Sequence, residues 1–418
     1  MREKLDRTDA QEWRRNWPLV LVSMIGVTLT TIHVYSQGVF LLALEKEFGW
    51  GRAQFSAGPT LYSFICVFTV VIAGWAADRF GPRRVALPGV LAFCIAMGCL
   101  ALTSGASWQW YVNWIALALT YPLISPTIWS VAVASRFTAS RGLAMGATLA
   151  GTGVGALVTP MLANYLIVQF GWRIAYAMMP LIWLLVLLPL GLFLFFGAHD
   201  RPAGRGAQGA ATRAALPGVN LREGYLSSYF WRLAFSCFLF IFGLLGMMVH
   251  FVPIVTNGGL DLTSAAMVAG IIGIASIIGR FSTGALLDRF HGRYVGFFAF
   301  LAPLGAVAIL LNYDGTLWMA GAAAFVIGAS LGAEFDVIAY LLTRYLGLRH
   351  YGAYFGLVMG LSNLATGAGI FFAGLIFDKT QAYTVLFWSV IPLFIIGALI
   401  VGSLGQYPNF SQTKNARE

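Results

Sequence analysis

Residues 74–84 read GWAADRFGPRR, and residues 284–293 read GALLDRFHGR. Both stretches place an Asp-Arg pair four residues after a glycine and add arginine behind it. Each follows an apolar run of about 20 residues, which is long enough to cross a bilayer as a helix. The glycine lets two helices approach closely, and the charges then lie at the membrane edge. The two copies start 210 residues apart and predict a chain built from two similar halves.

A second pair of features shares this offset. Gly142 and Gly146, at the start of one apolar run, return as Gly352 and Gly356 at the start of another. A single match of this kind could arise by chance, because glycine is common in membrane proteins. Several matches at the same offset are not explained by chance. Parallel repeats of six helices, with a site between them near the bilayer midplane, are an architecture of membrane transporters. The repeat therefore predicts two six-helix bundles.

The composition indicates that most of the chain lies in a membrane. Of the 418 residues, 59% are hydrophobic and 10% charged, whereas a soluble domain carries roughly 25% charged residues. The apolar runs predict an all-α membrane protein with twelve transmembrane helices in two pseudo-symmetric bundles of six. To within a few residues, the predicted spans are 17–43, 55–78, 84–104, 108–135, 141–168, 172–197, 229–256, 263–288, 292–312, 316–344, 350–377 and 382–404.

The longest polar stretch separates six spans from six. It is rich in Gly, Ala and Arg, which is typical of a linker. The predicted domains are a cytoplasmic N-terminal segment 1–16, a first bundle 17–197, a cytoplasmic linker 198–228, a second bundle 229–404 and a cytoplasmic tail 405–418.

Lysine and arginine are distributed unevenly across the membrane. An even number of spans places both termini on one side, and 21 of the 26 Lys and Arg residues then lie on that side, with four on the other and Arg280 inside a span. The positive-inside rule assigns the side of the termini to the cytoplasm. The net charge of +10 is therefore a topology signal and not a nucleic-acid surface. We expect a multi-pass protein of a bacterial-type inner membrane, embedded in the lipid bilayer, that binds no nucleic acid and functions as a monomer.

The sequence lacks the usual signals of enzymatic or cofactor chemistry. The four cysteines lie in apolar spans without metal-ligand spacing, so we expect packing residues, no metal and no cofactor. Residues 151–155, GTGVG, lie inside an apolar span with no preceding strand. They predict close helix packing rather than a dinucleotide loop, as do Gly352, Gly356 and Gly360. Because no phosphate-binding loop or nucleophile–base pair is visible either, we expect neither an enzyme nor a transporter driven by ATP hydrolysis.

The stretch at 74–84 resembles the G-x-x-x-D-R-x-G-R-R loop signature of the major facilitator superfamily, and the copy at 284–293 is a weaker match. In architecture the resemblance covers the whole chain. It implies twelve helices and a charged latch on the cytoplasmic side that breaks when that side opens. The residues of this cytoplasmic gate motif are Gly74, Asp78, Arg79, Gly81, Arg83, Arg84, Asp288 and Arg289.

Within that superfamily the chain resembles the monocarboxylate transporter family and its bacterial relatives, the oxalate–formate antiporter-like group. Arg280 stands where those transporters carry the arginine that holds the substrate carboxylate. Two features depart from the animal members: Ser276 stands where they carry an aspartate, one turn before the arginine, and their signature at the first helix is absent. The eleventh span also lacks the lysine of the dianion antiporters. One cation instead of two implies a monocarboxylate. The segments that carry the resemblance are 47–56 (EFGWGRAQFS), 250–253 (HFVP), 334–340 (EFDVIAY) and 349–356 (RHYGAYFG).

Three charged residues lie deep inside predicted spans. A charge at mid-membrane costs about 2.5–3.5 kcal/mol on insertion scales. Arg280 precedes the membrane-edge residue Asp288 by eight positions, which places it about 12 Å deep. Asp336 reaches a similar depth and Glu334 about 3 Å more, so Arg280 can meet a carboxylate of the tenth span. The two acids point about 200° apart around their helix, so only one faces the cavity. The alternative is an ion pair that only joins two helices.

Several further polar residues lie on spans that are expected to line the cavity. A histidine there can relay protons near neutral pH, or it can simply bond to a neighbouring backbone group or hydroxyl. The candidates for carrying a coupled proton are Asp336, Glu334 and His33. The candidate substrate-binding residues are Arg280, Tyr35, Asn113, Tyr121, His250, Tyr340 and Asn363.

Together these features predict a secondary active transporter of a small organic anion. The specific expectation is a proton-coupled monocarboxylate symporter that works by alternating access, with the carboxylate and H⁺ as its ligands. The alternative is an antiporter or exporter of a larger amphipathic or aromatic compound, which the 15% of aromatic residues favours.

Overall fold

The computed structural model describes residues 2–137, 141–196, 218–347 and 349–408. Within these ranges twelve long helical segments run back and forth, and eleven of them are long and apolar enough to cross a membrane. The twelfth segment, α2, has 29 residues and is also long enough to span a membrane. It is not counted among the eleven because the side chains of 70–75, 77 and 78 lie outside the description. The segments are α1 Glu12–Phe48, α2 Arg52–Phe80, α3 Pro82–Leu102, α4 Ser107–Ala134, α5 Leu143–Phe170, α6 Trp172–Leu194, α7 Ser228–Val249, α8 Leu262–Arg289, α9 Gly292–Leu311, α10 Leu317–Leu346, α11 Tyr351–Thr380 and α12 Thr384–Gly402. The predicted all-α, twelve-helix fold is confirmed.

Several of these helices are interrupted within their length. α4 contains a short 3₁₀ turn, Tyr121–Ile124, and continues from Pro126, because the prolines at 122 and 126 lack the N–H that a continuous helix requires. α1 turns at Thr30 and Thr31, whose hydroxyls donate to carbonyls one turn earlier at 2.7 and 2.8 Å. α7 breaks at His250 and continues as Phe251–Asn257. Such breaks persist inside a membrane protein because side chains satisfy the freed backbone groups.

Each half of the chain has its own buried core. The core of the first half draws on α1 to α6, and that of the second on α7 to α12 with Val39 added from α1. The described end of the linker packs on the second half, where the backbone N–H of Val219 donates to the carbonyl of Leu346 at 3.1 Å. Residues 1, 197–217 and 409–418 lie outside the described ranges, so the predicted domain boundaries stay a prediction.

The main contacts between the two halves are made by two helix pairs, α2 with α11 and α5 with α8, and the end of α7 also touches α1. A Cβ added to Gly273 of α8 would lie 2.3 Å from the backbone oxygen of Gly153 of α5. Thr60 of α2 donates a hydrogen bond to the carbonyl of Gly367 of α11 at 2.8 Å. Small residues, glycine above all, let helices approach this closely. The prediction that residues 151–155 serve helix packing is confirmed.

The halves are closed on one face of the membrane and open on the other. We name the face at which the described part of the chain begins and ends the terminal face, and the other the opposite face. The described contacts between halves cluster towards the opposite face, for example Asn164 with Thr263. At the terminal ends of α5, α8 and α11, a Cβ added to Gly146, Gly284 or Gly356 would meet no described atom within 4 Å.

This open geometry corrects one expectation about packing. Gly352 and Gly356, predicted as close-packing positions, face open space in this conformation, and a Cβ added to Gly360 would reach only Val67 at 3.6 Å. The helices diverge there because the two halves lean apart at the terminal face. Among the described residues, the two halves are thus in contact near the opposite face and apart towards the terminal face.

Candidate functional site

An ion pair between α8 and α10 lies beside the boundary of the two halves. Nη1 of Arg280 donates to Oδ1 of Asp336 at 3.0 Å. The two side chains are 24% and 30% exposed, so both charges reach open space instead of being sealed in a core. The contact between Arg280 and a carboxylate of the tenth span is present as the sequence predicts.

The backbones of α8 and α10 touch next to this pair. A Cβ added to Gly332 of α10 would lie 2.0 Å from the carbonyl oxygen of Ser276 and 2.9 Å from the backbone nitrogen of Arg280. A Cβ on Gly279 would lie 2.2 Å from the carbonyl oxygen of Ala329. These close approaches fix the backbone of Arg280 against α10. The guanidinium is therefore positioned by two rigid helices, which hold a binding geometry better than a loop does.

The ion pair lines a cavity between α5 and α8. Its volume is about 390 Å³, inside the range of about 300–1,000 Å³ that is typical of small-molecule sites. Most of the other lining side chains are apolar, so the guanidinium and the carboxylate supply its charge. The lining residues are Met145, Gly146, Leu149, Ala150, Thr152, Ser276, Ile277, Arg280, Phe281 and Asp336.

Two tyrosines flank the ion pair at longer range. Tyr35 of α1 lies close enough to Arg280 for an electrostatic interaction, and Tyr351 of α11 has the same relation to Asp336. Tyr35 is a predicted binding residue and belongs to the first half. Tyr351 is one that the sequence reasoning missed as a site residue, although it lies in the quoted segment at 349–356. Both halves thus place a tyrosine near the charges.

Glu334 points into different surroundings, as its two-residue spacing from Asp336 predicts. It is fully buried, and its Oε1 accepts a hydrogen bond from Sγ of Cys237 at 2.7 Å. Cys237 also lies 3.1 Å from Oγ of Ser362, while Oε2 of Glu334 has no hydrogen-bond partner among the described residues. The expectation that Cys237 is only an apolar packing residue is wrong, because its thiol is the polar partner of a buried carboxyl.

His33 lies in an aromatic enclosure inside the first half. Its ring centroid is 4.6 Å from that of Tyr62 and 5.7 Å from that of Tyr121, and Phe93 and Trp114 complete the enclosure. The side chain is buried, and neither ring nitrogen has a hydrogen-bond partner within the described ranges. The proton-carrying role of His33 stays a prediction, as does substrate binding by Tyr121.

The remaining predicted binding residues are engaged elsewhere. Asn113 donates to a carbonyl of the first half at 3.0 Å, and Asn363 to a carbonyl of its own helix at 3.1 Å. The ring of Tyr340 lies 5.9 Å from the guanidinium of Arg344, near the terminal face. His250 is fully buried near the opposite face. For these residues too, contact with a substrate stays a prediction.

The gate motif at the terminal face is described only in part, because the side chains of Gly74 and Asp78 lie outside the description. Gly81 has a φ of 86°, which favours glycine, and starts α3. Arg83 donates to the carbonyl of Leu192 at 2.7 Å and so caps the end of α6. The exposed members of the motif are Arg79, Arg84, Asp288 and Arg289.

Two helical halves, with a charged cavity between them that opens to one face of the membrane, are the architecture of a membrane transport protein. Residues 23–370 match the sequence profile of the Major Facilitator Superfamily, and the chain belongs to that family. It is a transporter and not an enzyme. The predicted superfamily is confirmed.

The relatives carry different small molecules. The chain is 23% identical over 412 residues to a gallate transporter of Pseudomonas putida, covering 87% of this chain and 90% of that one. It is 25% identical over 403 residues to monocarboxylate transporter 13 of Rattus norvegicus, covering 91% and 87%. Its fold is similar to that of a D-xylose-proton symporter, with a TM-score of 0.70 at 15% identity and coverage of 94% and 98%.

Proposed function

We propose that this transporter is a secondary active carrier of a small monocarboxylate, coupled to protons and working by alternating access. The observation that carries the proposal is the half-buried pair of Arg280 and Asp336 in a cavity between the halves. A guanidinium binds a carboxylate through two parallel hydrogen bonds and keeps its charge at any physiological pH. It is the group that such a substrate requires.

Asp336 provides a simple basis for proton coupling. Ionised, it neutralises Arg280 and competes with the substrate for the guanidinium. Protonated, it leaves the cation without a partner, and a substrate carboxylate restores neutrality. The site is therefore neutral both when empty and when it holds one proton and one anion. Because a net charge inside the membrane is costly, the doubly occupied site crosses the membrane more easily than one holding the anion alone.

The transport cycle that we propose uses the two faces in turn. The cavity opens to the terminal face, while the halves touch near the opposite face. Rocking of the halves about the neutral, occupied site would reverse this arrangement. We place the protein in a bacterial inner membrane as a monomer with cytoplasmic termini, since the charge asymmetry supports that orientation and one chain contains both halves.

Reconstitution into proteoliposomes tests the proposal. Uptake of a labelled short monocarboxylate should follow an imposed proton gradient in the parent and disappear in Arg280→Ala. Arg349→Ala serves as the matched control, because it removes an arginine of the same half that is exposed and bonds to Asn220 at 3.0 Å. Parent-like accumulation by Arg280→Ala would contradict the proposal, and so would equal loss in both variants.

The alternative, antiport or export of a larger amphipathic or aromatic anion, has one observation in its favour. Apolar side chains, among them Met145, Leu149 and Phe281, line the cavity together with the ion pair, and one relative is a gallate transporter. These apolar side chains can pack against an aromatic ring that is attached to the carboxylate. Short-chain and aromatic acids are compared as competitors of labelled uptake, which distinguishes the two kinds of substrate. Accumulation driven by a proton gradient in liposomes that hold no internal substrate distinguishes symport from exchange.

A further inference from the structure

A network of side chains joins the two halves at the opposite face, and Arg52 lies at its centre. Arg52 starts α2 in the first half, yet its side chain is only 4% exposed. Its Nη1 donates to the hydroxyl of Tyr383 at 2.7 Å and its Nη2 to Oδ1 of Asn257 at 3.4 Å, both in the second half. Its Nε donates to Glu45 at 3.2 Å. The guanidinium carbon also lies 3.6 Å from the ring centroid of Phe377.

A carboxylate of the second half caps the first turn of α2. Oδ1 and Oδ2 of Asp378 accept hydrogen bonds from the backbone N–H groups of Arg52 and Ala53, each at 2.8 Å. These N–H groups have no partner inside their own helix, and a negative charge is favourable at a helix N-terminus. An acid from α11 thus satisfies α2 as an N-cap residue would, although it belongs to the other half.

Two glycines provide the space for this contact. A Cβ on Gly51 would lie 2.6 Å from Oδ2 of Asp378. A Cβ on Gly374 would lie 2.7 Å from the carbonyl oxygen of Arg52. Any larger residue would push α2 and α11 apart at this end. The sequence around the network therefore fits a closed interface between the halves.

The network continues inwards through Tyr383 to His250. Nε2 of His250 lies 3.2 Å from the carbonyl of Ile370, and Nδ1 lies 2.8 Å from the hydroxyl of Tyr383. A carbonyl can only accept, so Nε2 carries the hydrogen, and Nδ1 of the neutral ring accepts from Tyr383. The tyrosine oxygen in turn accepts from Arg52. The hydrogen bonds run in one direction across the boundary and tie α7, α11 and α2 together.

We propose that Arg52 and Asp378 form the gate that closes the transport pathway at the opposite face, and that their contacts must break before a substrate can enter or leave there. The proposal rests on the alternating access described above. Opening that face requires α2 to move away from α7 and α11, which separates Arg52 from Tyr383 and Asn257. Loss of the gate therefore favours the conformation that is open to the opposite face.

Two reporter cysteines measure this shift without any substrate. Ser56→Cys lies one turn inside the gate and is fully buried, so it becomes reactive when the opposite face opens. Met145→Cys lines the cavity that is open to the terminal face, so its labelling falls in the same transition. The four native cysteines are replaced beforehand, and a water-soluble maleimide labels the protein in nanodiscs, where both faces are accessible.

Arg52→Ala should raise the labelling rate of Ser56→Cys by about tenfold or more, because loss of one charge-assisted hydrogen bond changes an equilibrium by about that factor. Labelling of Met145→Cys should fall. Asp378→Asn, which keeps the size of the side chain, should act in the same direction. Arg173→Ala is the matched control, because Arg173 pairs with Glu47 inside the first half and should change neither reporter.

The two reporters also distinguish gating from damage to the fold. If Arg52→Ala raises the labelling of both reporter cysteines, the variant has unfolded. The test of the gate then rests on Asp378→Asn. The gate proposal is wrong if the Ser56→Cys reporter is labelled no faster in Asp378→Asn than in the control Arg173→Ala. Because no substrate is present, this outcome is independent of whether the protein carries a monocarboxylate.

Discussion

Replacement of Arg280 by lysine tests the binding geometry directly. Lysine keeps the charge but loses the planar fork that contacts a carboxylate at two points. A hydrogen bond to a charged group contributes about 1.5–3 kcal/mol. Loss of one of two such bonds therefore weakens substrate binding about 10- to 150-fold. Because Arg280 is 24% exposed and partly screened by water, we expect the lower part of that range. Arg280→Ala loses both bonds and should abolish measurable carboxylate binding while the protein stays folded.

The counterpart variant, Asp336→Asn, should have the opposite effect on affinity. The carboxylate that competes with the substrate is 30% exposed, and a partly exposed ion pair is worth about 1 kcal/mol. Removing it should tighten binding at neutral pH about fivefold. Binding should also lose its pH dependence, since the amide imitates the protonated acid at every pH. Accumulation driven by a proton gradient should cease, and exchange of labelled for unlabelled substrate should continue.

The assay is isothermal titration of the purified protein with a short monocarboxylate across a pH series. Glu334→Gln is the matched control, because it removes an acid from the same helix that faces Cys237 instead of Arg280. It should keep the affinity and the pH dependence of the parent. The reasoning is refuted if Glu334→Gln removes the pH dependence and Asp336→Asn retains it, or if Arg280→Lys binds as tightly as the parent.

Three further experiments test other parts of the structure. Cysteines near Arg213 should react only from the cytoplasm and cysteines near Ser107 or Asp314 only from outside; labelling of both sets from one side would contradict the topology. Asp78→Asn should leave the protein folded and inserted but slow transport, and a collapse of substrate affinity with normal conformational rates would contradict the latch. Gly332→Ala should lower thermal stability, by about 1–3 kcal/mol of overpacking, because its Cβ would meet the backbone of α8 at 2.0 Å; an unchanged melting temperature would disagree with this packing.

Much of the fold could be predicted because hydrophobicity in a membrane is a one-dimensional signal. Each span must satisfy its backbone internally, so a run of about 20 apolar residues already specifies a helix. The 210-residue repeat then specified two halves without any knowledge of packing. The depth of Arg280 and Asp336 followed from the rise of a helix, and their contact is present in the structure.

The partners of the other buried polar residues could not be predicted in this way. Helical spacing shows that Glu334 and Asp336 point apart, but it does not say which neighbour each one meets. Only the packing of α7 against α10 gives Glu334 the thiol of Cys237. In the same way, the sequence near Arg52 does not predict its contact with Asp378, which lies more than 300 residues away.

The sequence by itself determined the class of protein, the number of helices and the one cation placed deep in a span. Those properties depend on composition and helical period, which are local. Tertiary structure alone decided which face is open, which acid meets Arg280 and which residues join the halves near the opposite face. These depend on how two similar bundles lean against each other, because contacts such as that of Gly273 with Gly153 form between segments distant in sequence.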